Sequence, residues 1–209
     1  MEHVSLLSQL PWINHGFANK HESPLLTNPI LMNQVHSADV LVIRQFVQTP
    51  SVDALVTKTP GLRLAVKSAD CAPVLLADTQ AKIVAAVHAG WRGAFQGVIE
   101  NAILAMMKLG GRPENIVAGI GPHLQKDSFE FQNDMYALFP STERRFFGVK
   151  NRDLYFDFHA YVEHRLRRAG VAQIDAVMID TYADRAYNSY RLNPNNPARQ
   201  ISFIEIKGE

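Results

Sequence analysis

The stretch Ile83-Val84-Ala85-Ala86-Val87-His88-Ala89-Gly90-Trp91-Arg92-Gly93 changes its hydrophobic period in mid-course. Ile83 to His88 is a short apolar run rich in β-branched residues, which reads as a buried strand. From Trp91 onward the apolar residues Phe95, Val98, Ile99, Ala102, Ile103 and Met106 recur on one face of a 3.6-residue period, so a helix follows. Gly110-Gly111 and Pro113 end that helix. A strand that hands its chain directly to a helix places His88 at a strand end, beside two glycines.

Upstream, Val40–Val47, Ala54–Thr57, Arg63–Lys67 and Pro73–Ala77 read as further strands, separated by the turn signals Pro60-Gly61 and Asp78-Thr79-Gln80. Asn19 to Pro29 is polar and reads as a loop. Downstream, a short strand Asn115–Gly119 leads into the turn Gly119-Ile120-Gly121-Pro122, and a second helix is expected over Asn133–Phe139. A third helix is expected from Asp157 to Ala169, with Phe158, Tyr161, Val162 and Leu166 inward. Arg167 and Arg168 in its last turn complement the helix dipole, and Gly170 is placed to cap it. Ala176–Ile179 and Ile201–Ile206 close the chain as strands. Strands crowd the first half and helices the second, which predicts a single α+β domain over residues 1–209 with mixed β-sheets flanked by helices.

The chain has 209 residues, 47% of them hydrophobic, enough for a substantial core without covalent staples. Lys and Arg number 21 against 20 Asp and Glu, for a net charge of +1. Near-neutrality argues against nucleic acid or an anionic membrane as partner. There is no run of 18 apolar residues and no export pattern over Met1–Leu10, so a cytoplasmic protein is expected. The oligomeric state is not legible. The single cysteine, Cys71, forbids an intrachain disulfide and any metal site with two thiolates, which leaves eight histidines to share whatever metal chemistry exists.

Three segments carry residues of metal-binding type at a strand end or turn: Asn33-Gln34-Val35-His36-Ser37-Ala38-Asp39, Ser68-Ala69-Asp70-Cys71-Ala72-Pro73 and Val87-His88-Ala89-Gly90-Trp91-Arg92-Gly93. His36, Cys71 and His88 offer two imidazoles and one thiolate, a set that suits a catalytic zinc with an open fourth position; a thiolate suits copper as well. Read without context, a lone cysteine is more often an inert core residue than a ligand, and a histidine before a turn is more often structural. Gly90 and Gly93 permit close backbone approach, and Arg92 at a helix start supplies a fork for phosphate or carboxylate. Asp70 and Asp39 are candidates for a carboxylate behind the ligands or a proton acceptor, with a turn cap as the plain reading of Asp70.

Asn-Gln-Val-His, Ala-Asp-Cys-x-Pro-Val, His-Ala-Gly-Trp-Arg-Gly and Gly-Ile-Gly-Pro together resemble the laccase-domain family, whose members have been named polyphenol oxidase, purine nucleoside phosphorylase and peptidoglycan editing factor. The resemblance runs from His15-Gly16-Phe17 to the C-terminus and takes in Phe129-Glu130-Phe131, Asp153-Leu154 and Ser189-Tyr190-Arg191. It implies one zinc held by His36, Cys71 and His88, and phosphorolysis of adenosine, inosine, guanosine or methylthioadenosine to the base and a ribose 1-phosphate. It also implies deamination of adenosine. In that frame Arg92 would hold phosphate, and Asp70 would lie behind the ligands or move a proton. The chain departs from the family in three places. A Gly-rich segment and a Leu-Asn-Leu-Gly stretch expected between Phe17 and Met32 are missing, which predicts a loss of part of the pocket wall. Asp180-Thr181 stands where Cys-Thr is usual, and Ala198-Arg199-Gln200 where Gly-Arg-Gln is usual.

Other functions compete. Copper-dependent phenol oxidation by a clustered three-copper site is disfavoured because the chain has no His-x-His pair, although a single copper at the same triad fits the ligand types. A hydrolase with Cys71 as nucleophile, His88 or His36 as base and an Asp as orienter would fit peptidoglycan editing, and so would a zinc-water mechanism at the same ligands. The deaminase signature of His-x-Glu with Pro-Cys-x-x-Cys is absent. A non-catalytic metal module would need a fourth protein ligand, for which His123 and His159 are the candidates.

Overall fold

The computed structural model describes residues 1–208. Its centre is a six-stranded mixed sheet built from the apolar runs. The strands are β2 (Val40–Val42), β3 (Ala54–Thr57), β5 (Ala72–Asp78), β6 (Ile83–Ala89), β7 (Ile116–Ile120) and β10 (Gln173–Ala176), in the order β10-β7-β5-β6-β3-β2. Both β5 and β6 are buried along their whole length, as expected of strands covered on both faces. They pair antiparallel with Pro73 opposite His88 and Ala72 opposite Ala89. This register sets Cys71, one residue before β5, beside the end of β6.

Alternate side chains of the sheet feed two cores. On one face Val74, Leu76, Ala85 and Val87 pack with two helices, α3 (Val98–Lys108) and α5 (Phe158–Arg168). An aromatic cluster of Phe129, Phe131, Phe139, Phe156, Phe158 and Tyr161 completes that side. On the other face Leu75, Ala77, Val84 and Ala86 meet a three-stranded antiparallel sheet. That sheet consists of β1 (Ile13–Phe17), β11 (Gln200–Ile206) and β4 (Leu64–Ser68), in the order β1-β11-β4. A hairpin of β8 (Phe147–Lys150) and β9 (Asp153–Phe156) and the short helices α1 (Ser5–Ser8) and α4 (Asn133–Tyr136) complete the α+β fold. No helix among the described residues is long and apolar enough to cross a membrane.

Several expectations are corrected. The single helix from Trp91 to Met106 is two: α2 (Trp91–Gln96) and α3, separated by Gly97 at φ 103. The apolar period runs through the break because both pieces face the same sheet. The strand expected to Val47 stops at Val42, the helix expected to Phe139 stops at Tyr136, and the strand placed at Ala176–Ile179 lies at Gln173–Ala176. Strand β1, the two strands of the β8–β9 hairpin and the short helix α1 had no legible signal. Strand β1 is short and polar, and draws its order from β11, almost 190 residues away. The β8–β9 hairpin turns on Asn151 and Arg152, both left-handed, where Asn-Gly would be the recognisable signal. Helix α5 behaves as read: Asp157 caps it through Ala160 N–H at 3.1 Å, basic residues fill its last turn, and Gly170 follows at φ 93.

Two buried histidines give the fold an acid limit. Burial holds His123 down at about 4, and burial together with nearby His3 holds His15 down at about 4. Unfolded, each protonates near its ordinary value of 6.5. Between these values the unfolded chain binds protons that the folded chain refuses, so stability is full above pH 6.5 and falls as the pH drops toward 4. Each histidine contributes a slope of up to about 1.4 kcal/mol per pH unit in that window. The urea midpoint should therefore fall from pH 7 to pH 5, and His123→Asn should flatten the fall. An identical slope in the variant would remove His123 from the explanation.

Candidate metal centre

The donor atoms of His36, Cys71 and His88 all lie within 4.8 Å of one another. Each arrives by a different route. His88 is the penultimate residue of β6 and is buried. Cys71 sits in the turn that joins β4 to β5, half-buried, and His36 lies on an exposed turn at φ 60. Cys71 Sγ is 3.7 Å from His36 Nε2, and the two imidazoles meet edge to face at 4.9 Å. Gly90 closes the back of the group: a Cβ there would stand 2.7 Å from His36 Cδ2 and 3.1 Å from Cys71 Sγ. At Gly93 a Cβ would stand 2.8 Å from the Ser37 carbonyl oxygen, so the close approach read from both glycines is met.

The sequence reading missed the residue that binds this arrangement together. Asp53, fully buried immediately before β3, accepts hydrogen bonds from the backbone N–H groups of Val35 (3.2 Å), His36 (3.1 Å) and Ser37 (2.7 Å), and from Ser37 Oγ (2.9 Å). Its Oδ1 also lies 2.8 Å from His88 Nδ1. That contact turns His88 Nε2 toward Cys71. The one available signal was an acidic residue abutting a wholly buried strand, and it becomes informative only once β3 is paired with β6, Ala54 opposite Val87.

The electrostatics follow from these contacts. Burial raises Asp53, but hydrogen bonds from His88 and Ser37 outweigh it and hold the carboxyl at about 2. Burial likewise pushes the Cys71 thiol up, yet the His88 charge and the contact with His36 bring it down to about 6. Burial pulls His88 down, and the Cys71 charge and Asp53 carry it up to about 9. The group therefore offers a thiolate, the form of cysteine that binds metals, near neutral pH.

The triad stands on the wall of an open cleft of about 860 Å³, which Arg92, Asp70, Lys67, Arg191 and Arg199 also line, together with the aromatic residues Trp91, Phe129, Phe158 and Tyr190. Arg92 is exposed and lies over the Trp91 ring at 4.6 Å. Arg92 is the second residue of helix α2, and Lys67, Arg191 and Arg199 carry the other positive side chains that line the cleft. Asp70 reaches none of the three donors. Its Oδ1 accepts from Thr181 Oγ1 at 2.8 Å and its Oδ2 from Arg191 N–H at 2.7 Å, with its backbone left-handed at φ 84. The carboxylate in contact with a donor is Asp53. Asp39 contributes its backbone carbonyl, which accepts from Asp53 N–H at 3.0 Å. His123 and His159 lie outside the donor group; they stack on each other at 5.4 Å, and His123 Nδ1 bonds the Gly121 carbonyl at 2.8 Å.

Comparison with known proteins shows the family. The purine nucleoside phosphorylase RP494 of Rickettsia prowazekii is 36% identical over 189 residues, covering 85% of this chain and 78% of the relative. The purine nucleoside phosphorylase YfiH of Escherichia coli is 33% identical over 185 residues, covering 86% and 74% respectively. The crystal structure of Neisseria meningitidis protein NMB0706 superposes with a TM-score of 0.80 at 31% identity, over 90% of this chain and 78% of the other. A family model described as multi-copper polyphenol oxidoreductase laccase matches residues 17–207, and the chain belongs to that family.

Proposed function

We propose that the cleft is the active site of a zinc-dependent purine nucleoside phosphorylase that takes adenosine, inosine, guanosine or methylthioadenosine with phosphate as co-substrate. One observation carries the reading: a three-donor metal group and the guanidinium of Arg92 converge on one cleft. Among the described residues Arg92 pairs with no carboxylate, so it is available to an anion. The relatives' names supply the substrate class.

The donor set fits zinc. Zinc–sulfur and zinc–nitrogen bonds at a tetrahedral angle separate their donors by about 3.6 Å. Cys71 Sγ and His36 Nε2 stand 3.7 Å apart. His36, Cys71 and His88 would hold the ion, which when bound supplies a Lewis acid with a position left for a substrate oxygen. The chain's own residues do the rest. Arg92 binds phosphate and keeps it aligned with the anomeric carbon, and the aromatic residues of the cleft offer flat faces to a purine. As the phosphate oxygen bonds to the anomeric carbon, the glycosidic C–N bond breaks and the proton carried by phosphate leaves with the base. The zinc deaminase signature is absent from the sequence, so inosine formation from adenosine is a separate outcome of the product assay.

A second reading, oxidation of phenols by a single copper at the same three donors, is favoured by the family description. Metal analysis of protein purified without added copper, followed by product analysis with adenosine and phosphate and oxygen uptake with a phenol, separates the two. Zinc, adenine and ribose 1-phosphate support phosphorolysis. Copper with phenol-dependent oxygen uptake overturns it.

Three variants test the site. Cys71→Ala should lose the bound metal and the activity together; retained metal would remove Cys71 from the ligand set. Asp53→Asn should weaken zinc binding about 10–100-fold, measured by chelator competition, because it disturbs the tautomer of His88 and the turn of His36. Unchanged affinity would reduce Asp53 to a fold residue. Arg92→Ala should raise the KM for phosphate far more than that for nucleoside, and equal effects on both would sink its assignment.

A further inference from the structure

We infer that Arg191 is the second half of an anion clamp that it forms with Arg92. Beside the main cleft lies a recess of about 220 Å³. The two spaces share four lining residues: Trp91, Arg92, Phe129 and Arg191. Each guanidinium rests on an aromatic ring, Arg92 over Trp91 at 4.6 Å and Arg191 over Phe129 at 5.7 Å. The two rings belong to one packed group, since Phe131 contacts Trp91 at 5.1 Å and Phe129 at 6.0 Å. A guanidinium stacked on a ring keeps its N–H edge free for an oxyanion and loses less freedom when it binds one.

Arg191 is held there from two sides. Its Nη2 donates to the Glu130 carbonyl at 2.8 Å, and its backbone N–H donates to Asp70 Oδ2 at 2.7 Å. Asp70 is thereby a positioning residue. It ties the C-terminal loop that carries Arg191 to the turn that carries Cys71, with Thr181 Oγ1 on its other oxygen. Among the described residues neither Arg191 nor Arg92 is paired with a carboxylate, and both line the cleft and the recess alike. The ligand is a tetrahedral oxyanion bound by two forks. Its identity as phosphate rests on the phosphorolysis reading.

The test uses the full, metal-loaded chain with inorganic phosphate as the probe. Arg191→Ala should weaken phosphate binding about 10–100-fold by calorimetry, the loss expected for hydrogen bonds to a charged group. Arg191→Lys should recover only part of it, because a point charge cannot form a bidentate pair. The metal content and the KM for nucleoside should stay within about twofold of wild type, whereas the KM for phosphate rises with the binding loss. Arg112→Ala removes one charge at the far end of β5, where the Arg112 N–H bonds Asp78, and serves as the control for a general field effect. The inference falls if wild type binds no phosphate, if Arg191→Ala binds it as tightly as wild type, or if Arg112→Ala weakens it equally. A protein that binds phosphate through Arg191 but cleaves no nucleoside refutes the phosphorolysis reading and leaves the clamp standing. One that cleaves nucleosides with an unchanged phosphate KM in Arg191→Ala does the reverse.

Discussion

The buried carboxylate of Asp53 is the constraint from which the site is built. A fully desolvated carboxylate is costly unless every lone pair finds a donor. Here the donors are three consecutive backbone N–H groups, one hydroxyl and one imidazole. The demand for satisfaction therefore becomes geometry. The turn at His36 must wrap the carboxylate, which holds a non-glycine residue in the left-handed region at φ 60, a conformation that costs about 1–2 kcal/mol on its own. His88 must present Nδ1 to Asp53, so its other nitrogen faces Cys71. Removing the carboxylate would leave several of these buried donors unpaired, at about 1–3 kcal/mol each, and would free both the turn of His36 and the ring of His88.

The sheet does the coarser placement. Strands β5 and β6 sit at its centre, and their register puts His88 opposite Pro73, two residues from Cys71. Helices cover one face and the three-stranded sheet the other, so the open end of the strands is where a cleft can form. Gly90 is the hinge of that design. It lets the chain leave β6 across the donor group without a side chain, and Trp91 and Arg92 then emerge directly into the cleft. Helix α2 ends at Gly97 because the chain must turn before α3 can lie along the sheet, and a left-handed residue supplies that turn.

What was legible in the sequence is what local chemistry dictates. The apolar runs of β3 to β6 and the facing residues of α5 announce themselves by period, and the three donors by their motif settings. What was not legible depends on partners far along the chain. Strand β1 has no apolar alternation of its own because β11 supplies its order. Asp53 looks like any acid before a strand until the sheet brings His88 to it. Asp70, next to the cysteine in sequence, draws the eye, yet its oxygens serve Thr181 and Arg191, more than a hundred residues downstream. Adjacency in sequence was a poor guide to which carboxylate touches a ligand, and strand register was a good one.

The departures from the family pattern can be weighed against these contacts. Asp180, read from the sequence as standing where the family has a cysteine, accepts from Ser128 Oγ and from the Tyr182 backbone N–H, so the turn that presents Thr181 to Asp70 is held by a side chain that bonds its own loop. The shortened segment between Phe17 and Met32 forms a compact turn closed by Asn19 and Glu22, and none of its residues lines the cleft, whose wall on that side begins at Asn33. The cleft of about 860 Å³ is open to solvent, and the donor triad and the two ring-stacked guanidiniums are the groups through which it would hold an anionic ligand. In such a site, affinity for an oxyanion comes from preorganised charge more than from enclosure, because stacked arginines have already lost the side-chain freedom that binding would otherwise take from them.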